Sequence, residues 1–123
     1  KETSRFGFRD LMERGGLRII QPDIARCGGI TETRRIAALA ETRNVRVIPH
    51  CWSTDILVAA TLHFLATQKD APWQEFNVMD NPLKSGLTNE PFKLADGMLR
   101  IPDGPGLGIE LNEETIERYR WTP

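Results

Sequence analysis

Three side chains that can exchange protons each follow a short, mainly apolar run of this sequence. Asp23 comes after residues 17–22, His50 comes after residues 45–49, and Glu75 follows the tripeptide Pro-Trp-Gln. Runs with few polar residues are typical of parallel strands that are covered on both faces. Aspartate, histidine and glutamate at the ends of such strands can accept, hold or donate a proton. The sequence therefore predicts acid–base chemistry built from Asp23, His50 and Glu75.

The intervals between these residues are nearly equal. Asp23 and His50 are 27 residues apart, and His50 and Glu75 are 25 residues apart, about the size of one strand, one helix and two loops. Right-handed crossovers would place all three at the same end of neighbouring parallel strands, where active sites are built in parallel α/β barrels. A purely structural Asp–His contact and a solvated glutamate are the alternatives. The strand-end positions favour the functional interpretation.

Helix signals separate the predicted strands. Polar N-cap residues precede apolar positions at helical spacing, and glycine or asparagine follows them. The predicted helices run, in chain order, from Ser4 or Thr3 to Gly15-Gly16, from Thr31 to Asn44, and from Ser53 or Thr54 onward. A predicted helix thus follows each of the first two predicted strands.

The last third of the chain has a different character, with prolines and glycines that indicate irregular connections. Asp96-Gly97 predicts a hairpin turn, and Asn112 or Glu113 is expected to begin a short helix that reaches Tyr119. We therefore predict an α/β fold, a partial TIM-type (β/α) barrel of three strand–helix units plus this tail. Residues 1–78 would form the barrel part and residues 79–123 the tail. Three units are under half of an eight-stranded barrel of about 250 residues, so we expect a segment of a longer enzyme.

Composition excludes several classes of function. The 123 residues carry a net charge of −1 and no basic run, which argues against nucleic acid or an anionic membrane as the partner. The longest apolar stretch, within residues 56–66, is too short and too interrupted for a membrane span. The first residues lack the apolar core of a secretory signal. We expect a cytoplasmic protein.

The two cysteines are expected to be reduced thiols, because Cys27 and Cys51 lie in different segments of a disulfide-poor chain. Zinc bound by these cysteines with His50 and His63 is an alternative. It is disfavoured because no short motif fixes two ligands locally. His63, set among apolar residues, is expected to be a hydrogen-bonded core histidine rather than a ligand.

The order of several short motifs resembles the C-terminal part of enzymes in the mandelate racemase branch of the enolase superfamily, in the mandelate racemase/muconate lactonizing enzyme family. The motifs are Gln21-Pro22-Asp23, Gly28-Gly29-Ile30-Thr31-Glu32, Pro49-His50, Glu75 and the glycine-rich run 102–108. Together they cover essentially the whole chain. The resemblance implies the last three strand–helix units of a modified TIM barrel, with a tail that packs on the barrel and toward a capping domain.

The resemblance also implies a mechanism. Such enzymes bind Mg²⁺ and remove a proton next to a carboxylate, and the metal stabilises the resulting enolate. His50 would be the general acid–base catalyst, Asp23 would orient its imidazole, and Glu75, when protonated, would donate a hydrogen bond to the enolate oxygen. The metal ligands would precede Lys1, so this chain alone is expected neither to bind Mg²⁺ at that site nor to turn over substrate.

The expected parent is a homo-oligomeric acid-sugar dehydratase acting on a small carboxylate substrate. A racemase or epimerase is the first alternative, in which a lysine on the opposite face would exchange protons with His50. A non-catalytic truncated barrel module is the second. The residues that decide between them are expected outside this chain.

Overall fold

Five helices and one pair of parallel strands make up the described part of this protein. The structure is a computed structural model, and it describes residues 2–71 and 73–122. The elements, in chain order, are α1 (Arg5–Gly15), β1 (Ile19–Ile20), α2 (Gly29–Glu41), β2 (Arg46–Val47), α3 (Asp55–Leu65), α4 (Pro82–Ser85) and α5 (Glu113–Arg118).

The first helix has the predicted limits. The side chain of Ser4 accepts the N–H of Gly7, which satisfies one of the free amides of the first turn. Gly16 ends the helix at φ +56°, in the left-handed region that glycine adopts without a steric penalty. Phe8 and Met12, four residues apart, are buried against the rest of the core.

The second helix begins earlier than expected, and the prediction of Thr31 as its N-cap is wrong. The N-cap is Gly28, which has φ +86° and no side chain to accept a hydrogen bond. Gly29 also has a positive φ and is the first helical residue. Two glycines that tolerate this backbone let the helix start before the first residue with a capping side chain. Asn44, at φ 53°, follows the helix as predicted.

The strands pair in parallel with Ile19 opposite Arg46 and Ile20 opposite Val47. Helix α3 contributes most of its residues to the interior, among them Phe64, which is fully buried. The core also contains Ile36 and Ala40 from α2 and Ile20 from β1. The two strand–helix units therefore share one hydrophobic core, and an α/β fold is confirmed.

The third predicted strand is not found. Residues 73–77 are irregular, and Pro72 of that prediction lies outside the described residues. The amide of Cys51, the first residue beyond the hydrogen-bonded ladder, donates to the carboxylate of Glu75 instead of to a backbone carbonyl. The Glu75 carboxylate thus accepts the Cys51 N–H that would otherwise donate to the backbone of a third strand. The described chain has two of the three expected strands.

The tail folds as predicted in two places. Ala95 and Met98 exchange two backbone hydrogen bonds of 3.0 and 2.9 Å around Asp96-Gly97, the two-residue turn expected for this dipeptide. Asn112 caps α5 through the N–H of Thr115. Helix α4 was not predicted, although Asn81-Pro82 is a helix-start signal: the Asn81 side chain accepts the N–H of Leu83. Among residues 2–71 and 73–122, no helix is both long and apolar enough to cross a membrane.

Candidate active site

Asp23 and His50 lie side by side just beyond the carboxyl ends of β1 and β2. The parallel ladder continues past the strands, because Ile48 N–H donates to Ile20 O at 3.1 Å and His50 N–H donates to Pro22 O at 3.2 Å. These bonds hold the two loop starts together. The prediction that Asp23 and His50 meet at one end of neighbouring strands is confirmed.

The two side chains form a hydrogen-bonded pair. Nδ1 of His50 lies 3.0 Å from Oδ2 of Asp23. An ionised carboxylate can only accept a hydrogen bond, so Nδ1 carries the hydrogen, and in the neutral imidazole Nε2 then keeps a free lone pair. The Asp23 side chain is 9% exposed and that of His50 is 38% exposed. The aspartate is therefore held inside the protein while the imidazole reaches solvent.

A backbone hydrogen bond and an ion pair also hold the Asp23 carboxylate. The N–H of Ala25 donates to Oδ1 at 2.9 Å, and Nε of Arg26 lies 3.3 Å from Oδ2. The backbone carbonyl of Asp23 also accepts the N–H of Cys27 at 2.8 Å, in the turn that leads to α2. Both oxygens of this carboxylate thus have partners besides the imidazole.

Glu75 is connected to the pair through the backbone. Its Oε2 accepts the N–H of Cys51, the residue after His50, at 2.5 Å. Glu75 is half-buried, and in the described chain it is hydrogen bonded to this amide rather than to the side chain of Asp23 or His50. All three predicted residues therefore gather at one end of the strands, Asp23 and His50 in direct contact and Glu75 beside them.

The cysteines next to the pair are free, buried thiols. Burial raises the pKa of the Cys51 thiol to about 11 and also raises the pKa of Cys27. Both therefore stay protonated at neutral pH, whereas zinc and electrophiles require the thiolate. Within residues 2–71 and 73–122, no three His, Cys, Asp or Glu side chains are grouped so that they could hold a metal ion.

His63 lies away from this pair, on α3. Its Nε2 is 3.1 Å from the carbonyl oxygen of Leu107, so the imidazole donates a hydrogen bond to the tail. This contact gives His63 the hydrogen-bonded structural role predicted for it, although the residue is half-buried rather than fully buried.

Two residues at the site were not predicted from the sequence. Arg26 contacts Asp23 with its side chain, and Cys51 contacts Glu75 with its amide. Arg26 follows Asp23 by three residues in the same loop, a spacing that could have indicated the ion pair. The contact of Cys51 uses its backbone N–H, so the type of its side chain could not have indicated this contact.

A wide groove of about 840 Å³ lies at the opposite end of the strands. It is lined by residues at the strand starts and on α2, among them Arg18, Arg34, Val45 and Arg46. None of Asp23, His50 and Glu75 lines this groove. The groove is therefore separate from the acid–base site.

Comparison with protein families gives a match over residues 1–115 to the family described as "Enolase C-terminal domain-like". Among curated relatives, the D-galactonate dehydratase of Pectobacterium atrosepticum is 40% identical over 127 residues, covering 98% of this chain and 33% of the relative. The D-galactarolactone cycloisomerase of Agrobacterium fabrum is 37% identical over 124 residues, covering 94% of this chain and 33% of the relative. The chain thus spans about one third of the curated relatives that it matches.

Solved structures show the same similarity. The 3,6-anhydro-D-galactonate cycloisomerase of Zobellia galactanivorans superposes with a TM-score of 0.88 at 38% identity, covering 96% of this chain and 33% of that one. A member of the enolase superfamily from Polaromonas sp. JS666 superposes with a TM-score of 0.86 at 38% identity, covering 97% of this chain and 32% of that one.

Proposed function

This chain belongs to the enolase superfamily, as a C-terminal segment of the mandelate racemase/muconate lactonizing enzyme type, and on that premise we propose that it forms part of an acid-sugar dehydratase. The proposed reaction removes the α-proton of a sugar-acid carboxylate and eliminates water from the β-carbon. The observation that carries the proposal is the hydrogen bond between Asp23 and the partly exposed imidazole of His50, in which Nδ1 is the nitrogen that faces the carboxylate.

His50 performs both proton transfers in this proposal. Its Nε2 takes the α-proton, and the electrons of the C–H bond form a carbon–carbon double bond as the β-hydroxyl departs. The imidazolium returns the proton to the departing hydroxyl, so water leaves and His50 is neutral again. The enol product then takes its keto form. An imidazole suits this task because it ordinarily titrates near neutral pH.

Asp23 and Glu75 support the transfer. The carboxylate of Asp23 fixes the tautomer with hydrogen on Nδ1 and stabilises the imidazolium that forms at His50. The amide of Cys51 holds Oε2 of Glu75, so Oε1 is the atom through which Glu75 would meet the substrate carboxylate. When Oε1 carries a proton, Glu75 donates a hydrogen bond to the substrate carboxylate oxygen that gains negative charge during α-proton removal.

Magnesium is typical of the superfamily, and the described residues do not form a site for it. No three acidic or imidazole side chains come together, and both oxygens of Asp23 already have partners. We propose that the ligands of a bound Mg²⁺ come from other parts of the protein.

The wider context forms part of the same proposal. Residues 1–78 would complete a (β/α) barrel with other parts of the protein, and residues 79–123 would pack on that barrel and toward a capping domain. Contacts that support a tail packed on α3 are the hydrogen bond from Phe92 N–H to Asp55 at 2.9 Å and that from His63 to Leu107. We propose a cytoplasmic homo-oligomer that acts on a small sugar acid.

Cycloisomerisation is a second candidate, favoured by the names of two of the similar proteins. One is a D-galactarolactone cycloisomerase and another a 3,6-anhydro-D-galactonate cycloisomerase. Removal of a proton next to a carboxyl carbon by His50 could begin either reaction. Racemisation would need a second base on the opposite face of the substrate, a role that a lysine would take.

The proposal is tested with the whole protein that carries this chain. The purified protein, supplied with Mg²⁺, is incubated in D₂O with D-galactonate and, separately, with D-galactarolactone. Proton NMR then follows loss of the α-proton signal and appearance of product. A 2-keto-3-deoxy acid supports dehydration, and a ring isomer supports the second candidate. Absence of both exchange and product across a panel of sugar acids would overturn the proposal.

A further inference from the structure

We infer that Arg26 is a positioning residue for the Asp23–His50 pair and acts on the imidazole through the shared carboxylate oxygen. The inference rests on the function proposed above. Its basis is that two groups approach one atom: Nε of Arg26 forms an ion pair at 3.3 Å, and Nδ1 of His50 a hydrogen bond at 3.0 Å, with Oδ2 of Asp23.

The first consequence of this geometry is orientation. Oδ1 of Asp23 accepts the N–H of Ala25 at 2.9 Å, so backbone and guanidinium together fix the plane of the carboxylate. That plane sets the direction of the hydrogen bond to Nδ1 and therefore the orientation of the imidazole ring. Loss of the Arg26 contact leaves Asp23 held by one amide and by the imidazole that it should orient.

The second consequence is electrostatic. An aspartate alone would stabilise the charged imidazolium of His50, and the permanent positive charge of Arg26 offsets part of that effect. Replacing Arg26 by a neutral residue removes this positive charge from beside the shared oxygen. Because the Arg26 side chain is 56% exposed, solvent screens the effect and keeps it modest.

Other titratable groups lie on the segments that adjoin the pair and stay unchanged when Arg26 is replaced. They are Cys27 in the loop after β1, Glu32 on α2, Cys51 after His50, Asp55 at the start of α3, and Glu75. The two thiols are neutral at working pH. Glu32 is engaged by Arg5 and Arg35, and Asp55 is fully buried beside Lys84.

The test compares Arg26→Gln, Arg26→Lys and the control Arg34→Gln in the whole protein. Arg34 is an exposed arginine of α2 that lines the groove at the opposite end of the strands. We expect Arg26→Gln to lower kcat about tenfold with little change in KM, and to move the acidic limb of the pH–rate profile to higher pH. Arg26→Lys keeps the charge and should restore the position of that limb, while Arg34→Gln should match the unmodified protein.

A spectroscopic measurement tests the inference without turnover. The low-field proton resonance of His50 Nδ1–H, recorded without substrate, should shift in Arg26→Gln and stay in place in Arg34→Gln. An unchanged resonance in Arg26→Gln would overturn the inference, as would an unchanged kcat and pH profile in an active protein. If the unmodified protein shows no α-proton exchange, the proposed function fails, and the resonance still decides the role of Arg26.

Discussion

His50 and Asp23 meet because they occupy the same position relative to a paired residue in each strand. Ile20 pairs with Val47 in the parallel ladder, and Asp23 and His50 each follow their paired residue by three positions. Nδ1 of His50 consequently lies 3.0 Å from Oδ2 of Asp23 across 27 residues of sequence. A shift of the register by one residue would separate the two side chains, so the acid–base pair depends on the register of the strands.

Replacement of Asp23 by asparagine should lower kcat by about 10²- to 10⁴-fold. The side chain keeps its shape but loses the charge that stabilises the imidazolium. An asparagine amide can also place a donor toward His50, which forces hydrogen onto Nε2 and removes the base. Steady-state kinetics of the whole protein measures the effect.

The matched control for this substitution is Asp103→Asn, because Asp103 is an exposed aspartate paired only with Arg100 in the described tail. It should retain the activity of the unmodified protein. An Asp23→Asn variant that stays within about twofold of that activity would show that the carboxylate does not assist His50.

Lys84 should be important for stability rather than for chemistry. Its side chain is 9% exposed, and its Nζ lies 3.8 Å from Oδ1 of the fully buried Asp55 and 4.4 Å from the centre of the Phe76 ring. Lys84→Met leaves the buried charge of Asp55 without its cation. We expect the free energy of unfolding to fall by about 3–5 kcal/mol in urea titrations.

Arg100→Met is the control for Lys84→Met. Arg100 and Asp103 are each 86% exposed, and such surface pairs contribute about 0–1 kcal/mol. Equal decreases in the free energy of unfolding of the two variants would indicate that Lys84 contributes no more to stability than a surface cation does.

Alkaline pH should destabilise the fold through Cys51. Its thiol has a pKa of about 11 in the folded chain, raised from 9.0 by burial. The unfolded chain can ionise this thiol above pH 9 while the folded chain cannot, so the stabilising contribution is complete below pH 9 and is lost between pH 9 and 11. The corresponding decrease is about 2 kcal/mol in the free energy of unfolding.

The Cys51→Ala variant isolates this contribution. Urea titrations from pH 8 to 11 should show a shallower alkaline decline in the variant, because the remaining groups, including Cys27, titrate in both proteins. Parallel pH dependence in the two proteins would contradict the assigned burial of the thiol.

Much of the fold follows from local sequence signals. Ser4 and Gly16 define α1, Asp96-Gly97 makes a turn that requires positive φ at both residues, and Asn112 caps α5. Each of these features depends on a few neighbouring residues, so a single sequence contains the information. The start of α2 was predicted wrongly because a glycine N-cap leaves no capping side chain to recognise.

The third strand and the contacts of the site depend on distant residues. Glu75 was placed at a strand end from its spacing, but its carboxylate takes the amide of Cys51 and the segment stays irregular. A strand is defined by the neighbour that pairs with it, and spacing alone does not supply that neighbour. The pairing of Asp23 with His50 could be predicted because both follow apolar runs, whereas the approach of Arg26 depends on the shape of one loop.

Exchange of the substrate α-proton with solvent deuterium tests the central claim most directly. The whole protein and its His50→Asn variant are incubated with the same sugar acid in D₂O, and proton NMR measures the rate of exchange. If His50 is the base, the unmodified protein exchanges the proton and the variant does not, while a His63→Asn variant still does. Exchange at an unchanged rate in His50→Asn would contradict the account.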